Sequence, residues 1–202
     1  MTIITSPHNE KLKLIRRLGR RRSREREGLF LTEGEDLLSA ARAAGAEPVE
    51  VLTAAGEGLG GTEVEPGLLA RFSKLGSGTR AIGVWREIWA EDAEAPCVYL
   101  HGVSDPGNVG TVIRTAHALV GGSVVLGPDC ADPFGPHAVR ASMGAVFAEP
   151  LLRGGIDATP EPRAALVAHG GEPLEALGGM ATICLGADRE GLPAGTVEHC
   201  NV

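Results

Sequence analysis

Aromatic residues are scarce in this 202-residue chain: four Phe, two Trp and one Tyr make up 3% of it. The core must therefore rely on Val, Leu, Ile and Ala, which a hydrophobic fraction of 43% supplies in ordinary measure for a globular protein. No apolar run approaches the roughly 18 residues a transmembrane helix needs, so no contact with a membrane is expected. The opening stretch MTIITSPHNEKLKLI has no cationic region ahead of an apolar one, and no secretion signal is read in it. Only four cysteines occur (Cys97, Cys130, Cys184 and Cys200), widely scattered and without a C-x-x-C pair. That spacing argues against a metal site and suits small core residues of a cytoplasmic protein.

The formal net charge of −7 would ordinarily argue against nucleic acid. Its distribution argues the other way. The stretch KLKLIRRLGRRRSRER, Lys11 to Arg26, holds nine of the chain's 19 cationic residues and a single acid. A block of like charge repels itself unless something neutralises it, so Lys11, Lys13, Arg16, Arg17, Arg20, Arg21, Arg22 and Arg24 are read as a polyanion-binding set. The competing reading is a solvated helix face.

Residues 1–90 read as alternating helices and strands. Asn9 caps a helix with Leu12, Ile15 and Leu18 on its apolar side. GLFLTEG is a strand, EDLLSAARAAG an amphipathic helix stopped by Gly45, and VEVLTAA a second strand. EPGLLARFSKLG follows as a helix and TRAIGVWREI as a returning strand. GEGLGG, Gly56 to Gly61, matches G-x-G-x-x-G, but no helix opens from its last glycine and its neighbours are acidic; it is read as a surface loop. The acidic, Ala-rich WAEDAEAP has the composition of a linker, placed at 91–96.

Residues 97–202 carry strands without alternation, separated by helices, which indicates a mostly parallel sheet covered on both faces. PCVYLHGV, GSVVLGP, AVFAEPLL, ATICLG and TVEHCNV are read as strands, and EPRAALVAHGG as a helix. Ligands of such sheets sit beyond the carboxyl ends of the strands, where SDPGNVG, GPDCADPF and GADREGLP lie. In DPGNVGTVIRTA, Asn108 is the expected N-cap of a helix running to about Val120. Val109, Val112, Ile113, Ala116 and Val120 fall on its apolar face and Arg114 on the other. Taken alone, this start serves a capped helix as well as an anion site.

Three stretches, HGVSDPGNVGTVIRTAHA, CADPFGPHAVRASMGAVF and ICLGADREGLP, together resemble the SpoU/TrmH family of RNA 2'-O-ribose methyltransferases of the SPOUT superfamily. The first is similar to the family pattern DPxNxGxxxRTA and the third to LGxExxGL, with Asp188 where Glu is usual. SPHNEKLKLIRRLGRRRSREREGLFLTEGEDLL resembles the small L30e-like RNA-binding domain that precedes many of these enzymes. The resemblance implies an L30e-like α/β domain followed by a trefoil-knotted SPOUT α/β domain. It implies methyl transfer from S-adenosylmethionine (SAM) to a ribose 2'-hydroxyl, with ribosomal RNA preferred over transfer RNA as substrate, and a homodimer. Carried over by position, Arg114 is the catalytic arginine, Asn108 shapes the active-site loop, and Leu126, Gly127, Leu185, Gly186 and Gly191 lie along the cofactor loops. Arginine is hard to deprotonate, so Arg114 is read as an orienting and electrostatic group. His117, one turn further on, is read as structural.

The family's third motif, ending in SLNV, has no counterpart before the final EHCNV. The knot is therefore expected to be incomplete in residues 1–202, and SAM binding by them weak. Two alternatives stand against the enzyme: a non-catalytic RNA-binding paralogue, favoured by that missing motif, and a phosphate-binding enzyme built on the helix start at Asn108. The second lacks a Walker lysine and a ribose-binding acid at the expected spacing.

Overall fold

In the computed structural model, which describes residues 3–74 and 78–202, two sheets follow one another along the chain. The basic block forms two helices, α1 (Glu10–Leu18) and α2 (Arg21–Glu27), broken where Arg20 turns extended. Asn9 caps α1 by accepting from the Lys11 N–H at 2.9 Å. Next come β1 (Leu29–Glu33), α3 (Glu35–Ala43), β2 (Glu50–Ala54), β3 (Thr62–Val64), α4 (Pro66–Ala70) and β4 (Ala81–Arg86). They form a mixed sheet in the order β1-β4-β2-β3, with only β2 and β3 parallel. The expected helix EPGLLARFSKLG is shorter than its sequence suggests, and its stretch from Leu75 to Gly76 lies outside the described residues.

The second half runs β5 (Cys97–Leu100), α5 (Pro106–Leu119), β6 (Ser123–Leu126), α6 (Pro136–Ala141), β7 (Leu151–Arg153), β8 (Arg163–Ala165), β9 (Thr182–Leu185) and α7 (Ala194–Val197). Its five strands are all parallel, in the order β7-β6-β5-β9-β8. Three expectations need correction. EPRAALVAHGG yields strand β8 rather than a helix: a short apolar run serves either element, and here Arg163 and Ala164 are buried beside β9. TVEHCNV does not continue as a strand. Its first part closes α7, and only Asn201 and Val202 hydrogen-bond along β8, to Arg163 and Ala165. AVFAEPLL begins as a 3-10 turn at Ala145–Phe147, and β7 starts only at Leu151.

Apolar packing joins the two sheets. Phe30, Leu37 and Trp85 share one cluster with Leu100, Ile113, Phe134 and Val139. Phe134 stacks 4.9 Å from Phe30, and Trp89 meets Phe134 edge-on at 5.1 Å. A buried ion pair adds to this junction: Arg24 Nη2 lies 2.6 Å from Asp132 Oδ2, both side chains being under a tenth exposed. Arg140 of α6 bonds Asp36 of α3 at 2.6 Å. The segment from Asp132 through α6 is thus the docking element for the first sheet. Among the described residues, no helix is long and apolar enough to cross a membrane.

Candidate active site

Helix α5 starts earlier than its sequence suggests. Pro106 takes the first helical position, where its missing N–H costs nothing, and Asp105 rather than Asn108 is the cap, accepting from the Asn108 N–H at 2.9 Å. That frees the Asn108 side chain. Its Nδ2 donates to Asp188 Oδ2 at 3.0 Å, linking the start of α5 to the loop after β9. The Asp found where the family pattern has Glu therefore reaches Asn108 directly. These residues, with Gly102 to Asp105, line a cavity of about 250 Å³.

The strand ends beneath are tied edge to edge. The His101 N–H donates to the Leu185 carbonyl at 2.9 Å, and the Gly127 N–H to the Leu100 carbonyl at 2.8 Å. Gly127 admits no side chain, since a Cβ there would fall 2.5 Å from the Tyr99 hydroxyl. In the β9 loop the Gly191 N–H returns to the Ala187 carbonyl at 2.9 Å. A Cβ on Gly186 would lie 2.1 Å from the Gly191 carbonyl carbon, so this loop folds tightly on itself.

The expected cofactor residues fall in two places. Leu126 and Gly127 border a cavity of about 320 Å³ that also takes in Arg21 and Arg153. Leu185, Gly186 and Gly191 belong to the β9 loop, two strands away in the sheet order. The sequence reading missed the loop after β8. Leu166, Val167, Gly170, Gly171, Pro173 and Val197, with His169 and Glu172, line a cavity of about 490 Å³ beside β9. Reading that stretch as a helix hid it; reading it as a strand puts a loop at the carboxyl edge of the sheet.

Arg114 stands exposed on α5, opposite the buried Val109, Ile113 and Ala116, with no ion-pair partner among the described residues. Val112 is only half-buried. His117 Nδ1 lies 3.3 Å from Oε2 of the buried Glu149. Burial raises the carboxyl of Glu149, and its Oε1 has no hydrogen-bond partner among the described residues. Burial also pushes the Tyr99 hydroxyl up to about 12 and the Cys97 thiol up to about 11, which removes both as bases at neutral pH.

The basic set divides. Arg16, Arg20 and Arg22 are exposed and unpaired among the described residues. Lys13 pairs with Glu10 at 2.7 Å, Arg17 with Glu27 at 3.4 Å and Arg21 with Glu25 at 2.9 Å, all at the surface. Lys11 bonds Glu50 at 2.6 Å and so ties α1 to the sheet. Arg24 is a correction: it is 4% exposed and spent on Asp132 and the Leu18 carbonyl, so it does not face a partner. Helical geometry turns it inward while its neighbours point out.

A parallel α/β sheet with glycine-rich loops at its carboxyl ends, joined to an α/β domain that carries a basic helix pair, defines the class of α/β folds that take ligands at the carboxyl edge of the sheet. Comparison with known proteins assigns the family. Residues 95–202 match the SpoU rRNA Methylase family, and residues 9–90 match the MRM3-like substrate binding domain. The chain belongs to the SpoU rRNA methylase family. It is 30% identical over 163 residues to the 23S rRNA (guanosine(2553)-2'-O)-methyltransferase RlmP of Bacillus subtilis (strain 168), covering 76% of this chain and 65% of that protein. It thus spans just under two thirds of that relative's length. The crystal structure of an rRNA methyltransferase from Sinorhizobium meliloti superposes with a TM-score of 0.84 at 26% identity, covering all of this chain and 87% of that one. AviRb from Streptomyces viridochromogenes, solved in complex with AdoMet, shares the fold at a TM-score of 0.81 and 22% identity, over 96% of this chain and 87% of that one.

Proposed function

We propose that the protein transfers the methyl group of SAM to a ribose 2'-hydroxyl of ribosomal RNA. The observation that carries this reading is the Asn108–Asp188 hydrogen bond, which joins the two family motifs across the carboxyl edge of the sheet and leaves Arg114 free and exposed on the same helix. The donor fits the residues present: Leu185, Gly186 and Gly191 of the β9 loop and the glycine-rich loop after β8 offer backbone groups and apolar side chains to a flat adenosine, and the nearby Asp188, Glu190 and Glu172 carboxylates suit a cationic sulfonium. When bound, SAM supplies the activated methyl group. Arg114 holds the ribose and its adjoining phosphate, fixing the hydroxyl in line for attack. Positioning of this kind supplies much of the rate for a poor nucleophile. Asn108, held by Asp188, keeps the start of α5 against the β9 loop. Leu126 and Gly127, expected along the cofactor loops, border a separate cavity with Arg21 and Arg153, and in this reading they lie on the RNA side of the site instead.

The same reading includes a homodimer with the site near the subunit interface, and residence in the cytoplasm. Leu166, Val167, Val197 and Val202 expose 37–47% of their surface around one cavity, and Leu119 at the end of α5 exposes 81%. Apolar surface of that extent calls for a cover. The four free cysteines suit a reducing compartment.

The test is methylation of ribosomal RNA with labelled, saturating SAM, followed by mapping of the label. Label on a ribose 2'-oxygen is expected, with Arg114→Ala reducing transfer by roughly 100-fold or more. Label on a base, or an Arg114→Ala variant as active as the parent, overturns the reading.

A further inference from the structure

Where α2 meets the carboxyl ends of β6 and β7, two arginines from opposite sides of the junction face one cavity. Arg21 comes from α2 and Arg153 from the end of β7, and the backbone of Gly127, Gly154 and Gly155 completes the wall. Between them sits one carboxylate oxygen: Glu25 Oε1 lies 2.9 Å from Arg21 Nε and 3.8 Å from Arg153 Nη1. The hydrogen bond from Arg21, reinforced by the charges of Arg21, Arg153 and Arg24, holds the Glu25 carboxyl below its ordinary range.

Neither arginine is free to wander. The Arg153 guanidinium lies 4.4 Å over the Trp89 ring, a stacked arrangement that fixes its plane. Arg21 rides on a helix whose place is set by the buried Arg24–Asp132 pair one turn further along. Guanidinium groups held in advance recognise oxyanions at low entropic cost. Glu25 itself is more than a third exposed, and ion pairs at such sites are weak. It fills the fork without locking it.

We propose that Arg21 and Arg153 form a phosphodiester subsite for the substrate RNA, which Glu25 occupies until RNA displaces it; the inference rests on the RNA methyltransferase reading above. The exposed, unpaired Arg20 and Arg22 flank Arg21 in sequence and extend the cationic track away from the cavity. The cavity's exposed acid, Asp129, has no ion pair among the described residues, while Asp132 is neutralised by Arg24. Arg153 lies outside the basic block, so charge clustering along the sequence gives no hint of it. The same fork chemistry fits the methionine carboxylate of SAM, and the two sources separate experimentally.

The full chain is titrated with a labelled ribosomal RNA fragment over a range of salt, and separately with SAM. Glu25→Gln is expected to tighten RNA binding roughly 3- to 10-fold at low salt, because it empties the fork. Arg21→Gln and Arg153→Gln are each expected to weaken it by a similar factor and to lower the log–log salt slope by about 0.7 to 0.9. SAM affinity and melting temperature stay level in all three. RNA binding that is unchanged or weaker in Glu25→Gln overturns the subsite, and so does an effect confined to SAM, which gives the fork to the cofactor carboxylate. If the parent methylates RNA while the variants match it, only the subsite falls. If the parent binds no RNA, the functional reading falls with it.

Discussion

Gly110 marks the closest approach of α5 to α6. A Cβ there would sit 2.2 Å from the Ala138 carbonyl oxygen and 2.7 Å from the Ala141 Cβ. Gly110→Ala should therefore push the helices apart and cost about 1–3 kcal/mol in chemical denaturation; a silent substitution would mean that α6 yields freely. Glu149 makes a second prediction at this scale. Burial raises its carboxyl from the ordinary 4.5 and outweighs the opposing pull of His117. An acid raised by folding contributes stability below its ordinary value and loses it as pH climbs through the folded value. Glu149→Gln should accordingly lose less stability than the parent between pH 5 and pH 8, and parallel pH curves would contradict this. Placement was legible where residues lie in local motifs: Asn108 stands near the start of α5, Arg114 on its exposed face and Gly186 in the loop after β9. It was illegible where contacts cross the junction. Nothing along the chain says that Arg24 turns inward to a carboxylate 108 positions away, or that Asp105 takes the cap and frees Asn108.

The segment from Asp132 through α6 is the element on which the two halves meet. Asp132 accepts from Arg24 through Oδ2 and from the Phe134 N–H through Oδ1 at 3.0 Å. Removing one partner of such a pair strands the other charge in the interior. Arg24→Met is expected to cost about 3–5 kcal/mol in urea denaturation, and adding Asp132→Asn should recover much of it while keeping the acceptor for Phe134. Equal losses in the single and double variants would mean that the charge pairing contributes nothing. Elements with strong periodicity, such as α1, α3 and α5, were readable from sequence. The three-residue strand β8 was not, because Ala164 and Ala165 with their apolar neighbours satisfy a helix as readily as a strand. Only hydrogen bonding to β9 decides between them.

Across the whole molecule, one apolar cluster is shared by the two sheets, and the two are expected to unfold together. Phe134 touches Phe30 of the first sheet and Trp89 of the connecting stretch while lying in a loop of the second. Phe134→Ala should cost about 3–5 kcal/mol. In calorimetry the parent should melt in one transition, with calorimetric and van't Hoff enthalpies in agreement. Two resolved transitions in the parent would show that the halves unfold separately.

Both tryptophans of the chain sit at this seam: Trp85, buried and bonded to Thr32 at 2.9 Å, and Trp89, with a guanidinium across its face. The protein therefore carries an intrinsic optical gauge at its joint. Any ligand that draws Arg153 off the Trp89 indole should change the emission colour and yield of that ring while Trp85, sealed in the core, stays constant. Stopped-flow emission can then time the engagement of RNA without a label, and a Trp89→Phe variant should leave that signal dark.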